Sequence, residues 1–285
     1  MKLLNTKGWG EYELLDSGNG KRLERFAQYV LSRPDPQCVW LPTRNTKEWE
    51  KADAVFENGW KTKRAFPNCW KVSYGDLIFN AYLTPFKHTG IFPEQHLHWE
   101  WMRSLIENSE LRIQKREINV LNLFGYTGGA TLACAAAGAH VTHVDASKKS
   151  IQYAKENQAC SSLIEKPIRW ILDDAMAFVK REVRRGNTYH GIIMDPPVFG
   201  HGPDGSTWDF QRDFPLLVKE CKHIFDNAGL FFLVNAYAVS ASSIMLENVL
   251  SDYLPKGLLE SGELVLEESS GRLLSTGIYA RWQRE

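Results

Sequence analysis

The sequence predicts an α/β fold, a doubly wound and mostly parallel Rossmann-like sheet, and three observations carry that reading. Residues 118–124 read Ile-Asn-Val-Leu-Asn-Leu-Phe, apolar enough for a buried strand. A turn holding Gly125, Gly128 and Gly129 then leads into an alanine-rich run, Thr131 to Ala137, suited to a helix packed closely on a sheet. A second apolar run ends in Asp145, 20 residues after Gly125, the spacing at which a βαβ nucleotide fold offers a carboxylate to a ribose hydroxyl pair. Two later runs also end in aspartate, at Asp174 and Asp195. In an open parallel sheet these ends share the edge where ligands bind.

The turn has two readings. A dinucleotide fold wants G-x-G-x-x-G, whereas this stretch is G-x-x-G-G, which weakens a pyrophosphate-binding role. Taken alone, the glycines could also do no more than let a strand turn tightly into a helix.

Taken in order, residues 1–85 predict a small β-rich domain. Trp9, Trp40, Trp49, Trp60 and Trp70 are well separated, Trp70–Tyr74 and Leu77–Leu83 alternate as strands, and Asp16–Gly20, Pro34–Pro36 and Gly75-Asp76 read as turns. Spaced tryptophans can stack on unpaired bases, but in a small β domain they are expected in the core. Residues 86–285 then form the main domain. It opens on Phe86 to Gln95 and a helix from about His96 to Asn108. The histidines at 88, 96 and 98 lack acidic partners at ligand spacing, so polar capping and surface roles are expected rather than metal.

Beyond the central stretch, Ser147 caps a helix reaching about Ser162, and Pro167–Leu172 is a strand before Asp173-Asp174. Ala175–Arg185 is a helix, and Tyr189–Met194 is a strand before Asp195-Pro196-Pro197. Val198 to Trp208 is a glycine-rich loop expected to be mobile or ordered by ligand. Helices from Asp209 to Phe225 and from Ser240 to Tyr253 flank a strand at Leu230–Asn235. A closing antiparallel pair, Leu264–Leu266 with Leu273–Trp282, brings the main sheet to seven strands.

Length and composition bound the function. A chain of 285 residues accommodates one full α/β domain and a smaller one. The formal net charge is zero, so no overall basic field advertises nucleic acid. Local basic clusters at 61–71, 112–116 and 180–185 read mainly as solvated faces. The five cysteines show no C-x-x-C and no ligand spacing, which argues against structural zinc. Polar residues follow Met1-Lys-Leu-Leu at once, and no apolar run approaches a membrane span. A cytoplasmic setting, with no membrane and no metal, is the expectation; the oligomeric state is not readable.

Asn122–Gly129, Val144-Asp-Ala-Ser147, Asp174-Ala175, Asp195-Pro-Pro-Val-Phe199 and Gln211-Arg-Asp213 together resemble the class I S-adenosylmethionine-dependent methyltransferases. Within that class they are similar to the bacterial 23S ribosomal RNA enzymes that make 5-methylcytosine and 7-methylguanine. The resemblance covers roughly residues 85 to 240. It implies a methyltransferase sheet with S-adenosyl-L-methionine as cofactor and RNA as substrate. Phe124, Gly125, Tyr126, Thr127, Gly128 and Gly129 would approach the methionine part. Asp145, with Ala146 and Ser147, would take the ribose hydroxyls; Asp174, with Ala175, would read the adenine; Gln95 would close over the cofactor. Asp195, Pro196, Pro197 and Asn235 would face the transferred methyl and the acceptor. The family's acidic-Gln-Arg segment appears here as Glu94-Gln95-His96, which puts any role copied from the arginine in doubt.

Cytosine C5 is a poor nucleophile, so a carbon acceptor needs a cysteine thiolate to add first. The run after the fifth strand, Leu233-Val-Asn235-Ala-Tyr237, holds none, and Cys134 and Cys221 fall in helices. Guanine N7 already carries a lone pair and needs only alignment. The sequence thus favours RNA with a nitrogen acceptor; an exocyclic amine stays open beside the ring nitrogen, because Asp195-Pro196-Pro197 resembles the amino-methylating motif, although Val198 stands where that motif has an aromatic. The alternatives are a small molecule or protein side chain as acceptor, or an AdoMet-binding protein without catalysis. An RNA enzyme would show a basic rim built from Arg112, Lys115, Arg116, Arg212 or the N-terminal lysines.

Overall fold

The structure is a computed structural model and describes residues 2–63, 65–201, 207–237 and 239–285, with Arg112 and His201 described by backbone alone. The chain divides into two compact units. One comprises residues 5–96 and 264–276; the other comprises 1–4, 97–263 and 277–285.

The chain opens with β1 (Lys2–Thr6), which starts in the larger unit, and then runs in the smaller unit through β2 (Tyr12–Gly18), β3 (Lys21–Phe26), β4 (Tyr29–Pro34), α1 (Thr46–Trp49), β5 (Ala54–Phe56), β6 (Trp60–Thr62), β7 (Trp70–Tyr74) and β8 (Leu77–Ala81). Strands β2 to β6 form one sheet in sequence order, and β7 pairs with β8. The first hairpin turns on Asn19-Gly20 alone, both at positive φ, so Asp16 lies inside β2 instead of in a turn. Its carboxylate holds the next loop by accepting from Thr43, Arg44 and the Trp49 indole. Trp9 and Trp70 are buried, and the half-buried Trp40 and Trp60 donate their N–H groups to main-chain oxygens. The tryptophans belong to the framework of this unit.

The division departs from the boundary at 85/86 for visible reasons. Tyr82 and Thr84 hydrogen-bond back to Thr89 and His88, and His96 packs edge-on against Tyr74, so residues 86–96 stay with the small unit. The hairpin tip joins it too: Ser17 Oγ donates to Glu268, and Arg272 lies over the Trp40 ring. His96 and His98 are buried, against the surface role expected. His96 Nδ1 contacts the Pro93 carbonyl at 2.9 Å, and His98 packs on Tyr279.

The larger unit continues with α2 (His96–Glu107), α3 (Glu110–Ile113), β9 (Asn119–Leu123), α4 (Gly129–Ala136), β10 (His140–Asp145), α5 (Lys148–Cys160), β11 (Ile168–Leu172), α6 (Ala175–Arg185) and β12 (Gly191–Met194). It ends with β13 (Phe199–His201), β14 (Thr207–Asp209), α7 (Phe210–Cys221), β15 (Phe231–Ala236), α8 (Ser243–Tyr253), β16 (Leu258–Glu267) and β17 (Leu273–Gln283). Among the described residues the main sheet has eight strands in the order β1-β16-β17-β15-β12-β9-β10-β11. The seven expected strands are all present. The eighth is β1, a short edge segment whose first residues carry too little alternation to stand out in the sequence.

Strands β15, β12, β9, β10 and β11 are mutually parallel, and β17 closes antiparallel to β15. All residues of β12 and β15 are buried, as expected where helices cover both faces. On one face Leu121, Leu123, Val144, Met194 and Val234 pack with residues of α6, α7 and α8, among them Phe178, Phe214 and Leu246. From β9 the chain moves outward through β10 and β11, then returns to β12 on the other side. The switch point therefore lies between β9 and β12.

Candidate active site

The carboxyl ends of the parallel strands gather most of the residues the sequence singles out. Register pairs Leu123 with Val144 and with Met194, and Met194 with Val234. Along the edge the order is therefore Asn235, Asp195, the turn Phe124–Gly129, Asp145 and then Asp174. These span four interstrand steps, or about 19 Å at the usual strand spacing. Gln95 lies in the other unit, half-buried at the end of a short 3-10 turn, Pro93–Gln95.

The turn is tightly specified. Phe124 and Tyr126 adopt positive φ, at 58° and 47°, a costly conformation for side chains with a Cβ. Asp145 stabilises it: Oδ2 accepts from Tyr126 N and Oδ1 from Ser147 N, each at 2.8 Å. Burial pushes the Asp145 carboxyl above its usual value, with the two backbone N–H groups opposing. Burial likewise pushes the Tyr126 phenol up to about 12, with Tyr153 and Asp145 adding to the effect. Gly125 and Gly129 are required by protein neighbours. A Cβ on Gly125 would lie 2.5 Å from His143 Nδ1, and one on Gly129 would lie 2.5 Å from Trp99 Cζ2.

Helix α4 begins at Gly129 with Gly128 as its cap, at φ 88° and without a side-chain cap bond. Its first-turn N–H groups are thus available to an anionic group. Asp174 caps α6 by accepting from Ala177 N at 2.8 Å, and Ser147 caps α5. Asp145 and Asp174 therefore have local structural work, which sequence spacing does not reveal.

Asp195 and Pro197 are exposed, Pro196 is buried and Asn235 is 4% exposed. The Pro197 carbonyl accepts from the Trp208 indole at 2.7 Å, and the Trp208 ring meets Phe124 edge-on at 4.9 Å. Aromatic side chains thus link the loop after Asp195 to the glycine turn. The flanks of that loop pair as a short hairpin, β13 with β14; Gly202, Pro203 and Gly205 lie outside the described residues.

The expected basic rim is reduced. Lys115 and Arg116 precede β9, at the end of the sheet opposite Asp195. Arg212 stands beside the loop, but it pairs with Asp213 at 2.7 Å and donates to the Thr207 carbonyl. Cys134 and Cys221 are fully buried, and burial raises both thiols far above their usual value. Among the described residues no group of His, Cys, Asp and Glu is arranged to hold a metal ion, and no helix is long and apolar enough to cross a membrane.

Residues that sequence reading missed lie under the turn. Asn122, Thr131 and His143 are buried and hydrogen-bonded to one another, and Asn157 donates to the Thr127 carbonyl. The signal was present as alternation, since His143 shares the Asp145 face of β10.

A parallel sheet with a glycine turn at its switch point and carboxylates on adjoining strand ends defines a Rossmann-like, cofactor-binding protein. No protein-family model matches the chain. A crystal structure of a SAM-dependent methyltransferase from Agrobacterium tumefaciens is 40% identical, covers 100% of this chain and 94% of that one, and superposes with a TM-score of 0.95. A structure from Streptococcus mutans, assigned to the same class, is 18% identical with a TM-score of 0.70 over 97% of this chain and 76% of that one, a likeness of fold. Curated relatives named ribosomal RNA large subunit methyltransferase K/L include one from Alteromonas mediterranea, 27% identical over 86% of this chain and 34% of the relative. One from Shewanella pealeana is 30% identical over 81% of this chain and 32% of the relative. The chain spans about a third of the length of these curated relatives. It belongs to the S-adenosylmethionine-dependent methyltransferases, the family of the Agrobacterium structure.

The residues present fit that cofactor. The uncapped α4 N-terminus suits its carboxylate, and Asp145 has lone pairs beyond the two it gives to backbone. When bound, S-adenosylmethionine supplies an electrophilic methyl group on a sulfonium.

Proposed function

We propose that this enzyme methylates a ring nitrogen of a base in large-subunit ribosomal RNA, with guanine N7 preferred over cytosine C5. The observation that carries the acceptor choice is the chemistry of the edge. Asp195 and Asn235 end neighbouring strands beside the glycine turn, whereas Cys134 and Cys221 are sealed in the core and the half-buried Cys160 closes α5, at the helix end away from these strand ends. Carbon methylation at C5 needs a thiolate poised at the base, whereas a ring nitrogen needs alignment and exclusion of water. The names of the curated relatives support RNA as the substrate class.

In this reading Phe124 to Gly129 and the start of α4 hold the methionine part of the cofactor. Asp145, with Ala146 and Ser147, holds the ribose, and Asp174 with Ala175 holds the adenine. Asp195, the Pro196-Pro197 main chain and Asn235 hold the acceptor edge in line with the methyl. The reaction takes place in the cytoplasm without a metal.

A second reading, a small-molecule or protein acceptor, is favoured by one observation. Arg212, a cation expected at the edge, is already paired with Asp213. The test is incubation with unmodified large-subunit RNA, followed by nucleoside mass spectrometry. The first reading predicts 7-methylguanine; 5-methylcytosine would overturn the acceptor choice, and unmodified RNA would favour the second reading.

A further inference from the structure

Beneath the glycine turn lies a buried polar chain that the cofactor contacts proposed above do not use. His143 sits on β10, two residues before Asp145 and on the same face. Its ring is fully buried and its cross-strand neighbours are Asn122 on β9 and Trp170 on β11. Asn122 Nδ2 donates to Thr131 Oγ1 at 2.9 Å, and Thr131 Oγ1 lies 2.9 Å from His143 Nδ1. The ring edge then meets Gly125, where a Cβ would lie 2.5 Å from Nδ1 and 3.0 Å from Nε2. Among the described residues Nε2 has no hydrogen-bond partner.

We infer that His143 is a positioning residue for the cofactor turn, held by Asn122 and Thr131 as a neutral imidazole and carrying the backbone of Gly125. The inference rests on the reading of Phe124–Gly129 as the methionine-side wall of the cofactor site.

Thr131 Oγ1 carries one hydroxyl proton and two lone pairs, one of which takes the Asn122 amide, so it can pair with Nδ1 of either neutral tautomer. Neutrality follows from burial: desolvation brings His143 down to about 3, and no carboxylate meets the ring among its hydrogen bonds. A neutral ring also suits the ligand, because an imidazolium under the turn would repel a sulfonium. The two residues on this face of β10 divide the work. Asp145 clasps Tyr126 and Ser147 from the strand end, while His143 fills the space under Gly125 that no side chain there could occupy. With both braces present, the positive-φ residues Phe124 and Tyr126 have one arrangement to adopt. Without His143 the turn would settle toward the sheet and the cofactor would meet a displaced wall.

The test compares His143→Leu, which keeps volume and loses the hydrogen bond, with His143→Gln, whose amide can still accept from Thr131. AdoMet binding is measured by calorimetry, with melting temperature alongside, and steady-state kinetics with varied AdoMet. Loss of a buried hydrogen-bond partner predicts an AdoMet Kd raised about tenfold in His143→Leu and mostly restored in His143→Gln. KM for AdoMet rises with it, while kcat at saturation is retained. Wild-type affinity in His143→Leu, with only a lowered melting temperature, would reduce His143 to packing and overturn the inference. If His143→Leu does not fold, 15N spectra of the wild-type imidazoles decide. Ring nitrogen resonances of a neutral His143 that shift on adding AdoMet support the inference; a charged imidazolium, or no shift, overturns it. Asp145→Ala is the control for the site itself. Weakened AdoMet binding in that variant with unaffected His143 variants sinks only the positioning role, whereas a wild-type protein that does not bind AdoMet sinks the site reading as well.

Discussion

Replacing Asp145 with alanine separates the two jobs its carboxylate does. In the structure it accepts from Tyr126 N and Ser147 N at 2.8 Å each, and hydrogen bonds to a charged group contribute about 1.5–3 kcal/mol net apiece. Burial holds the Asp145 carboxyl above its usual value, so desolvation offsets part of that gain. A loss of about 2 kcal/mol in unfolding free energy is expected for Asp145→Ala. Asp145→Asn keeps one acceptor, sets an N–H against the other backbone N–H, and should fall between. If the remaining lone pairs also take the ribose hydroxyls, AdoMet affinity should drop by about a hundredfold, or about 3 kcal/mol. Urea unfolding without ligand gives the first number and calorimetry the second. An alanine variant that loses the stability but binds AdoMet as the wild type does would show that Asp145 only braces the turn, and the ribose assignment would fall.

Asp195→Ala should abolish methyl transfer while AdoMet affinity stays within about twofold, since Asp195 is assigned to the acceptor side; equal loss of binding would refute the division of roles. Gly129→Ala drives a methyl group into the Trp99 ring and should cost about 1–3 kcal/mol of stability, read by denaturation. Stability should also fall as pH drops below about 6.5. Burial depresses His88 to about 4 and His143 to about 3, so the unfolded chain takes up protons that the folded one refuses. That stabilisation is present above the unfolded value and is lost as pH falls toward the folded ones. Two such groups set an upper slope of about 2.7 kcal/mol per pH unit, and Glu94 and Asp145, whose carboxyls are raised, oppose it at the acid end. A stability flat from pH 7 to 5 would contradict the burial of these rings.

Much of the larger unit was legible because its signals are local. Continuous apolar runs gave the parallel strands, Ser147 marked a helix start, and the three strand-end aspartates pointed to one edge. What sequence could not show is which of those aspartates has a local duty. The bonds from Asp145 to Tyr126 N and from Asp174 to Ala177 N depend on backbone positions and leave no spacing signature. The surface role expected for His96 and His98 failed because both rings are buried among aromatics that converge only on folding: Trp9 and Tyr74 for His96, Tyr279 for His98. The hairpin tip joined the smaller unit through Glu268 with Ser17 and Arg272 with Trp40, pairings more than 200 residues apart in the chain. Lys115 and Arg116 form a cluster in sequence, yet they sit before β9 and so at the far end of the sheet.

The measurement that tests the central claim most directly is transfer of a labelled methyl group from AdoMet to total RNA, to protein and to a small-molecule extract in parallel, using the wild type and Asp195→Ala. Label in large-subunit ribosomal RNA with the wild type and none with Asp195→Ala is the predicted result. Label confined to protein or small molecules would contradict the proposed substrate, and equal labelling by both proteins would contradict the place given to Asp195 at the acceptor edge.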